Sequence, residues 1–275
     1  MVKPRRALAQ HWLKNEKALN QIVAAAEITK CDRILEIGPG TGVLTRRLLP
    51  LAESVVAVEI DLDLCELLAK KLGNTENFLL LQGDFLELDL SSLLTSFPNF
   101  QNPNKIVANI PYNITGPILE KLLGTIANPN LQPFDSIVLL VQKEVADRLY
   151  AKPGSKTFGA LSVRVQYLAE CEFIYHVSAK SFYPPPKVDS AVVRLRPRQL
   201  QSLPQNPHHL ETLVQLGFSA KRKMLRNNLK AIIERDRLTK ILENLEINPQ
   251  ARAEDLSVTQ WISLSNQLEA FLATN

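Results

Sequence analysis

The chain has 275 residues, 45% of them hydrophobic, and its 32 lysines and arginines against 28 aspartates and glutamates leave a net charge of +4. That length and apolar fraction support one large core with a smaller appendage, and exclude a disordered or fibrous chain. So small a net charge excludes a uniformly basic surface, so any polyanion site must come from local clustering.

In chain order, Lys3-Pro4-Arg5-Arg6 is not followed by the continuous apolar run of an export signal, and no stretch approaches the ~20 apolar residues of a membrane span. A cytoplasmic protein without a membrane partner is expected. Cys31, Cys65 and Cys171 lack Cys-x-x-Cys spacing, so they read as reduced, partly buried thiols, and no metal is expected. Residues 11 to 29 carry Leu13, Leu19, Ile22, Val23 and Ala26 at helical spacing. Strand runs follow at Arg33 to Ile37, Ser54 to Glu59, Phe78 to Gln82, Ile106 to Ala108 and Ser136 to Gln142. Helices are expected between them, at Val43 to Leu49 and at Leu62 to Leu72 with Asp61 as N-cap.

Strands alternating with helices imply right-handed crossovers and a mostly parallel sheet covered on both faces. After a helix at Ala160 to Leu168, Glu172 to Val177 and Ala191 to Leu195 read as further strands. They flank the stiff loop Phe182-Tyr183-Pro184-Pro185-Pro186-Lys187, which is expected to form a hairpin arm of the sheet. Gln199 to Pro207 reads as a linker, with helical periodicity beyond it that includes Val258 to Leu272. The domains expected are therefore 1–199, with an N-terminal lid and helix over 1–30, and an all-helical 200–275.

Gly38-Pro39-Gly40-Thr41-Gly42 joins the first strand to its helix, where glycine lets backbone turn tightly and come close to a ligand. The spacing is not the phosphate-binding Gly-x-Gly-x-x-Gly, and no Walker lysine follows. Glu59 lies about 20 residues on, where a carboxylate can accept from ribose hydroxyls. Asp84 ends the next strand, where it can accept from an adenine amino group. Each alone is equally well a helix cap or a polar strand end. Together they suggest a nucleoside site without a phosphate grip, which points to S-adenosylmethionine, with an NAD enzyme as the competing reading.

Asn109-Ile110-Pro111-Tyr112 closes the fourth strand and can offer a side-chain carbonyl, a main-chain carbonyl and a π-face to one flat ligand. An ordinary Asn-Pro turn with a surface tyrosine has the same composition. Lys221, Arg222, Lys223, Arg226 and Lys230 spread charge along one side of an expected helix, amid Glu211, Glu234, Asp236, Glu243 and Glu246. Focused basicity of this kind suits phosphate, although a solvated helix face carries the same pattern. His208-His209 falls in the linker and reads as exposed.

ILEIGPGTGVLT, VVAVEID, LQGDFLELD and VANIPYNIT, with SFYPPPKVDSAVVRL and FSAKRKMLRNNLK, resemble in order the motifs of the ribosomal RNA adenine N6-dimethyltransferases, most closely the KsgA/RsmA family acting on the small subunit. The resemblance covers nearly the whole chain. It implies a Rossmann-like class I methyltransferase domain with a seven-stranded sheet, a helical C-terminal RNA-binding domain, and action as a monomer. It also implies that S-adenosylmethionine, leaving as S-adenosylhomocysteine, is held by His11, Leu13, Gly38, Gly40, Glu59, Asp84 and Asn109, and that Lys221, Arg222, Lys223 and Arg226 contact RNA.

The implied activity is dimethylation of two adjacent adenosines in a hairpin loop near the 3′ end of small-subunit (16S) rRNA. Asn109 and the Ile110 carbonyl would accept the two N6–H bonds. Pro111 would hold Ile110 extended, while Tyr112 and Phe182 would stack on the base. One departure stands out: where the family has Arg-Phe-Gly-Gln before the Asn/His-Phe-Leu run, this chain reads Arg6-Ala7-Leu8-Ala9-Gln10-His11-Trp12-Leu13, so its N-terminal lid is expected to order differently. Two other readings stay open, a resistance-type large-subunit rRNA methyltransferase and a non-catalytic RNA-binding assembly factor on the same scaffold.

Overall fold

The computed structural model describes residues 3–198, 200 and 202–273. In chain order the elements are β1 (Trp12–Leu13), α1 (Glu16–Ala26), β2 (Arg33–Ile37), α2 (Thr45–Leu48), β3 (Ser54–Glu59), α3 (Leu62–Leu72), β4 (Phe78–Gln82), α4 (Leu90–Leu94), β5 (Lys105–Asn109), α5 (Thr115–Leu123), β6 (Ser136–Gln142), α6 (Lys143–Leu149), α7 (Ala160–Leu168), β7 (Ala169–Val177), β8 (Phe182–Tyr183), β9 (Ser190–Pro197), α8 (Pro207–Gly217), α9 (Leu225–Asn228), α10 (Arg235–Asn244) and α11 (Val258–Ala273).

Seven strands form one sheet in the order β4-β3-β2-β5-β6-β9-β7. β4, β3, β2, β5 and β6 pair in parallel, and β9 runs antiparallel to β6. All six residues of β3 and the first six of β6 are buried, as strands covered on both faces must be. The strand order reverses between β2 and β5, so the carboxyl ends of these neighbours splay apart and open the crevice where such sheets bind ligands. The glycine turn leaves β2 at this point, and Asn109 ends β5 beside it.

The first helix differs from the sequence expectation. It begins at Glu16, where the Asn15 side chain accepts from the Ala18 N–H at 2.9 Å. Ahead of it, Trp12 and Leu13 pair antiparallel with Tyr183 and Phe182. His11 and Leu13 therefore lie on an extended segment, because pairing across the ribbon competes successfully with one more helical turn. The loop expected to be a sheet hairpin arm likewise contributes β8 to this separate two-stranded ribbon. α3 starts as expected, with Asp61 Oδ1 accepting from the Asp63 N–H at 3.1 Å.

The chain divides into two compact units, one of residues 1–122, 132–146 and 171–197, the other of 123–131, 147–170 and 198–275. The second is more than the segment beyond residue 199, because α7 packs on α8 and α11. Of the expected linker, Gln199 and Gln201 lie outside the described residues. The second unit is built on Trp261, which is fully buried. Gly217 lies against it so closely that a Cβ there would fall 2.3 Å from Trp261 Cη2.

The basic helix expected around Lys221 is instead a turn followed by the single turn of α9. Asn228 Nδ2 donates to the Gly217 and Ala220 carbonyls, and Met224 bridges to Arg252. Those bonds satisfy the end of α8 and prevent it from continuing. Lys221, Arg222, Lys223 and Lys230 are exposed, and Arg226 is half-buried. His208 and His209 are in α8, not in a linker: His208 is exposed, while His209 Nδ1 lies 2.9 Å from Ser265 Oγ.

Candidate active site

The strand ends at the switch point line a cavity of about 260 Å³. Its walls include His11, Leu13, Gly38, Gly40, Glu59, Asp84, Asn109, Ile110, Pro111 and Tyr112, residues that the sequence places in five separate segments. Gly38, Gly40 and Gly42 all take positive φ, at 65°, 58° and 76°. At Gly42 space is also decisive, since a Cβ would lie 2.7 Å from Leu68 Cδ2.

Glu59 is buried at the end of β3, and both of its oxygens are used. Oε2 accepts from the Gly40 N–H and Oε1 from the Asp61 N–H, each at 3.0 Å. One carboxylate thus ties the glycine turn to the start of α3, and its remaining lone pairs can still accept from a ligand. Burial pushes the Glu59 carboxyl above the usual range. Asp84 Oδ1 accepts from the Leu86 N–H at 2.9 Å, which leaves Oδ2 for a ligand.

At the tip of β5, Asn109 Nδ2 donates to the His11 carbonyl at 3.3 Å. That bond orients the amide and leaves Oδ1 as a free acceptor. Pro111, with φ −60° and ψ 135°, restricts Ile110 to extended backbone; the Ile110 side chain is packed inside. The Tyr112 ring stacks on His11, with centroids 5.7 Å apart and planes 21° from parallel, and its hydroxyl lies 2.6 Å from Ser190 Oγ. The tyrosine is therefore held at both ends. Phe182 is the exception among the expected site residues. It is 4% exposed and belongs to the hydrophobic core, where it pairs with Leu13, and unlike Leu13 it is not part of the cavity wall.

The departure at the N-terminus has a structural counterpart. Ala9, standing where the family glycine would be, takes φ +49°, a conformation that costs a side-chain-bearing residue about 1 kcal/mol. The segment is nevertheless anchored over the cavity: Gln10 Nε2 donates to Asp61 Oδ2 at 2.8 Å, and Arg5 pairs with Asp61 and Asp63. Trp12 covers the glycine turn, 3.6 Å from where a Gly40 Cβ would be.

The sequence reading missed Glu36, Ile60 and Phe85, which also line the cavity. Ile60 and Phe85 directly follow Glu59 and Asp84, and a signal was there in the apolar residue after each acidic strand end. Glu36 offered another signal, a carboxylate inside a strand covered on both faces. It is 1% exposed, and Oε2 has no hydrogen-bond partner. Burial, with the Glu59 charge adding to it, pushes its carboxyl up to about 8.

A pH dependence follows. Below about pH 4.5 Glu36 is protonated in folded and unfolded chains alike. Between there and about pH 8 the unfolded chain releases a proton that the folded chain keeps, so stability falls across that window. We expect Glu36→Gln, which imitates the protonated acid, to be the more stable at pH 8 by on the order of a few kcal/mol and to give a shallower decline. Urea unfolding of both proteins at pH 5 and pH 8, without cofactor, measures this; identical slopes would refute it.

The arrangement fits S-adenosylmethionine on its own terms. It offers buried carboxylate acceptors, a glycine turn admitting close approach, apolar Ile60 and Phe85, and no phosphate-binding lysine. A family model described as ribosomal RNA adenine dimethylase matches residues 1–270. A ribosomal RNA small subunit methyltransferase A from Nostoc punctiforme is 73% identical over 274 residues, covering 98% of this chain and 96% of that one. A crystal structure of a dimethyladenosine transferase from Plasmodium falciparum superposes with TM-score 0.78 at 29% identity, covering 94% of this chain and 98% of that one. The 23S rRNA methyltransferase ErmE superposes with TM-score 0.72 at 28% identity, covering 94% and 99%. With a matched family model spanning almost every residue and four of the family's motifs meeting at one cavity, the chain belongs to the ribosomal RNA adenine dimethylases, methyltransferases that use S-adenosylmethionine.

Proposed function

We propose that this protein dimethylates the N6 amino groups of two adjacent adenosines in a hairpin loop near the 3′ end of 16S rRNA, during small-subunit assembly. It would act as a cytoplasmic monomer with no membrane partner; among the described residues no helix is long and apolar enough to cross a membrane. The observation that carries the reading is the meeting of Asn109-Ile110-Pro111-Tyr112 with Gly38, Gly40, Glu59 and Asp84 around one cavity.

Bound S-adenosylmethionine supplies an electrophilic methyl group with a neutral thioether as leaving group. His11, Leu13, Gly38, Gly40, Glu59 and Asp84 would hold it, Glu59 accepting from ribose hydroxyls and Asp84 from the adenine amino group. The target N6 is a poor nucleophile because its lone pair is delocalised into the ring. Donation of its two N–H bonds to Asn109 Oδ1 and the Ile110 carbonyl favours a tetrahedral nitrogen and frees that pair. Tyr112, pinned by Ser190, supports the base after it leaves its own stack. Alignment of this kind can lower a barrier by several kcal/mol. No strong base is needed, since the nitrogen becomes acidic only after accepting the methyl group. Residues 1–199 carry this chemistry, and residues 200–275 bind RNA, with Lys221, Arg222, Lys223 and Arg226 on phosphate.

Mass spectrometry of 16S rRNA after reaction with unmethylated small subunits and S-adenosylmethionine tests the proposal. Two neighbouring dimethyladenosines are expected. Methylation of protein-free large-subunit RNA alone would favour the resistance-type alternative, which the likeness to ErmE keeps in view. A failure to bind S-adenosylmethionine would favour a non-catalytic assembly factor.

A further inference from the structure

We propose that the β1–β8 ribbon is a second nucleotide-binding surface, on which Tyr183 and Lys14 hold the RNA nucleotide flanking the target adenosine, outside the cavity. This inference rests on the proposed function and extends it from the reacting base to its neighbour.

The ribbon pairs Trp12 with Tyr183 and Leu13 with Phe182. Side chains alternate between the two faces of a strand, and directly paired residues share a face. Leu13 and Phe182 take the inward face, at 6% and 4% exposure. Trp12 and Tyr183 therefore share the other, where Tyr183 is 51% exposed; Trp12, like Leu13, also borders the cavity. Beyond Tyr183 the chain returns to the cavity wall: His11 Nδ1–H donates to the Pro184 carbonyl at 2.7 Å, and the His11 ring stacks on Tyr112. An aromatic surface thus continues from the base-binding cavity onto the outside of the ribbon.

Charge on this face selects the occupant. Lys14 Nζ lies 4.2 Å from the Tyr183 ring centroid, and the Lys14 N–H is held by the Ser181 carbonyl at 2.8 Å. Lys17 stands over Tyr175 at 5.7 Å, and exposed Lys180 and Lys187 flank β8 in sequence. Among the described residues none of these four lysines has an ion pair. The nearby carboxylates are otherwise engaged, Glu16 with Arg47 and Asp189 with His176 and the Ala179 N–H. An exposed ring beside an exposed ammonium suits a base and its phosphate: the base takes the ring and the ammonium the phosphate. Drawing one base out of its stack leaves its neighbour without a stacking partner, which an exposed aromatic ring can replace.

The test uses the full-length protein, a hairpin with 2-aminopurine next to the target adenosine, and unmethylated small subunits. Tyr183→Ala is expected to raise KM for RNA about tenfold, within the range for loss of one stacked base. It should also abolish the 2-aminopurine quenching that wild type produces without cofactor, and leave the Kd for S-adenosylmethionine unchanged. Tyr183→Phe should restore wild-type behaviour, and Lys14→Ala should raise KM severalfold. Quenching and KM unaltered in Tyr183→Ala would overturn the proposal, as would an equal loss of cofactor affinity, which would make the ring merely a support for the N-terminal segment. Because quenching is read without turnover, it decides the platform even if wild type methylates neither RNA, a result that would sink the proposed function separately.

Discussion

Asn109→Ala is expected to lower the methyl-transfer rate by at least about a hundredfold while the affinity for S-adenosylmethionine changes only a few fold. Asn109 Nδ2 is engaged with the His11 carbonyl, so Oδ1 is the atom left to act on the target amine. Alanine removes an acceptor positioned before the reaction begins, and water cannot replace it with the same orientation. The lost bond to His11 is long, so the N-terminal segment, also held by Gln10 and Arg5 on Asp61, should still close. Asn109→Asp separates the two roles: it keeps an oxygen for the base but turns a second one toward the His11 carbonyl, so cofactor binding should weaken as well as the rate. Single-turnover methyl transfer with calorimetric titration of the cofactor measures both quantities. A wild-type rate in Asn109→Ala would remove Asn109 from the chemistry.

Glu59→Gln is expected to weaken S-adenosylmethionine binding by about a hundredfold or more, corresponding to roughly 2.7 kcal/mol. Both carboxylate oxygens accept main-chain N–H bonds, from Gly40 and Asp61. An amide at this place turns its NH₂ toward one of those donors, and a buried donor without a partner costs about 1–3 kcal/mol. The same change removes the charge that would strengthen hydrogen bonds from ribose hydroxyls. Because Glu59 also joins the glycine turn to α3, the turn loosens as the ligand contact weakens. The rise in melting temperature produced by the cofactor in wild type should largely vanish, and an unaltered rise would refute the assignment.

The strands β2, β3, β4 and β6 could be read to the residue, as could α3 with its Asp61 cap. Each is specified by a local pattern: a short apolar run, buried on both faces in β2, β3 and β6, or a side chain that caps the helix directly after it. The acidic and amide strand ends were legible for the same reason. The start of α1 was not, since Trp12 and Leu13 suit a helix locally and are drawn into a ribbon by partners about 170 residues away. The break in the basic segment depends on Asn228 and on the bridge from Met224 to Arg252, interactions that no helical period encodes.

The sequence by itself determined the class of sheet, the order of motifs along it, and the chemistry of the residues at its carboxyl edge, because these follow from near-neighbour patterning and side-chain type. Only the tertiary structure decided which aromatic rings face what. Phe182 was expected to stack on the base, and the register with Trp12 and Leu13 sends it into the core and its neighbour Tyr183 to solvent. The same holds for Glu36, whose carboxyl is ordinary in the sequence and is raised to about 8 only because neighbouring strands and Glu59 enclose it. Pairing register and burial arise from contacts distant along the chain, and a reading of residues in order has no access to them.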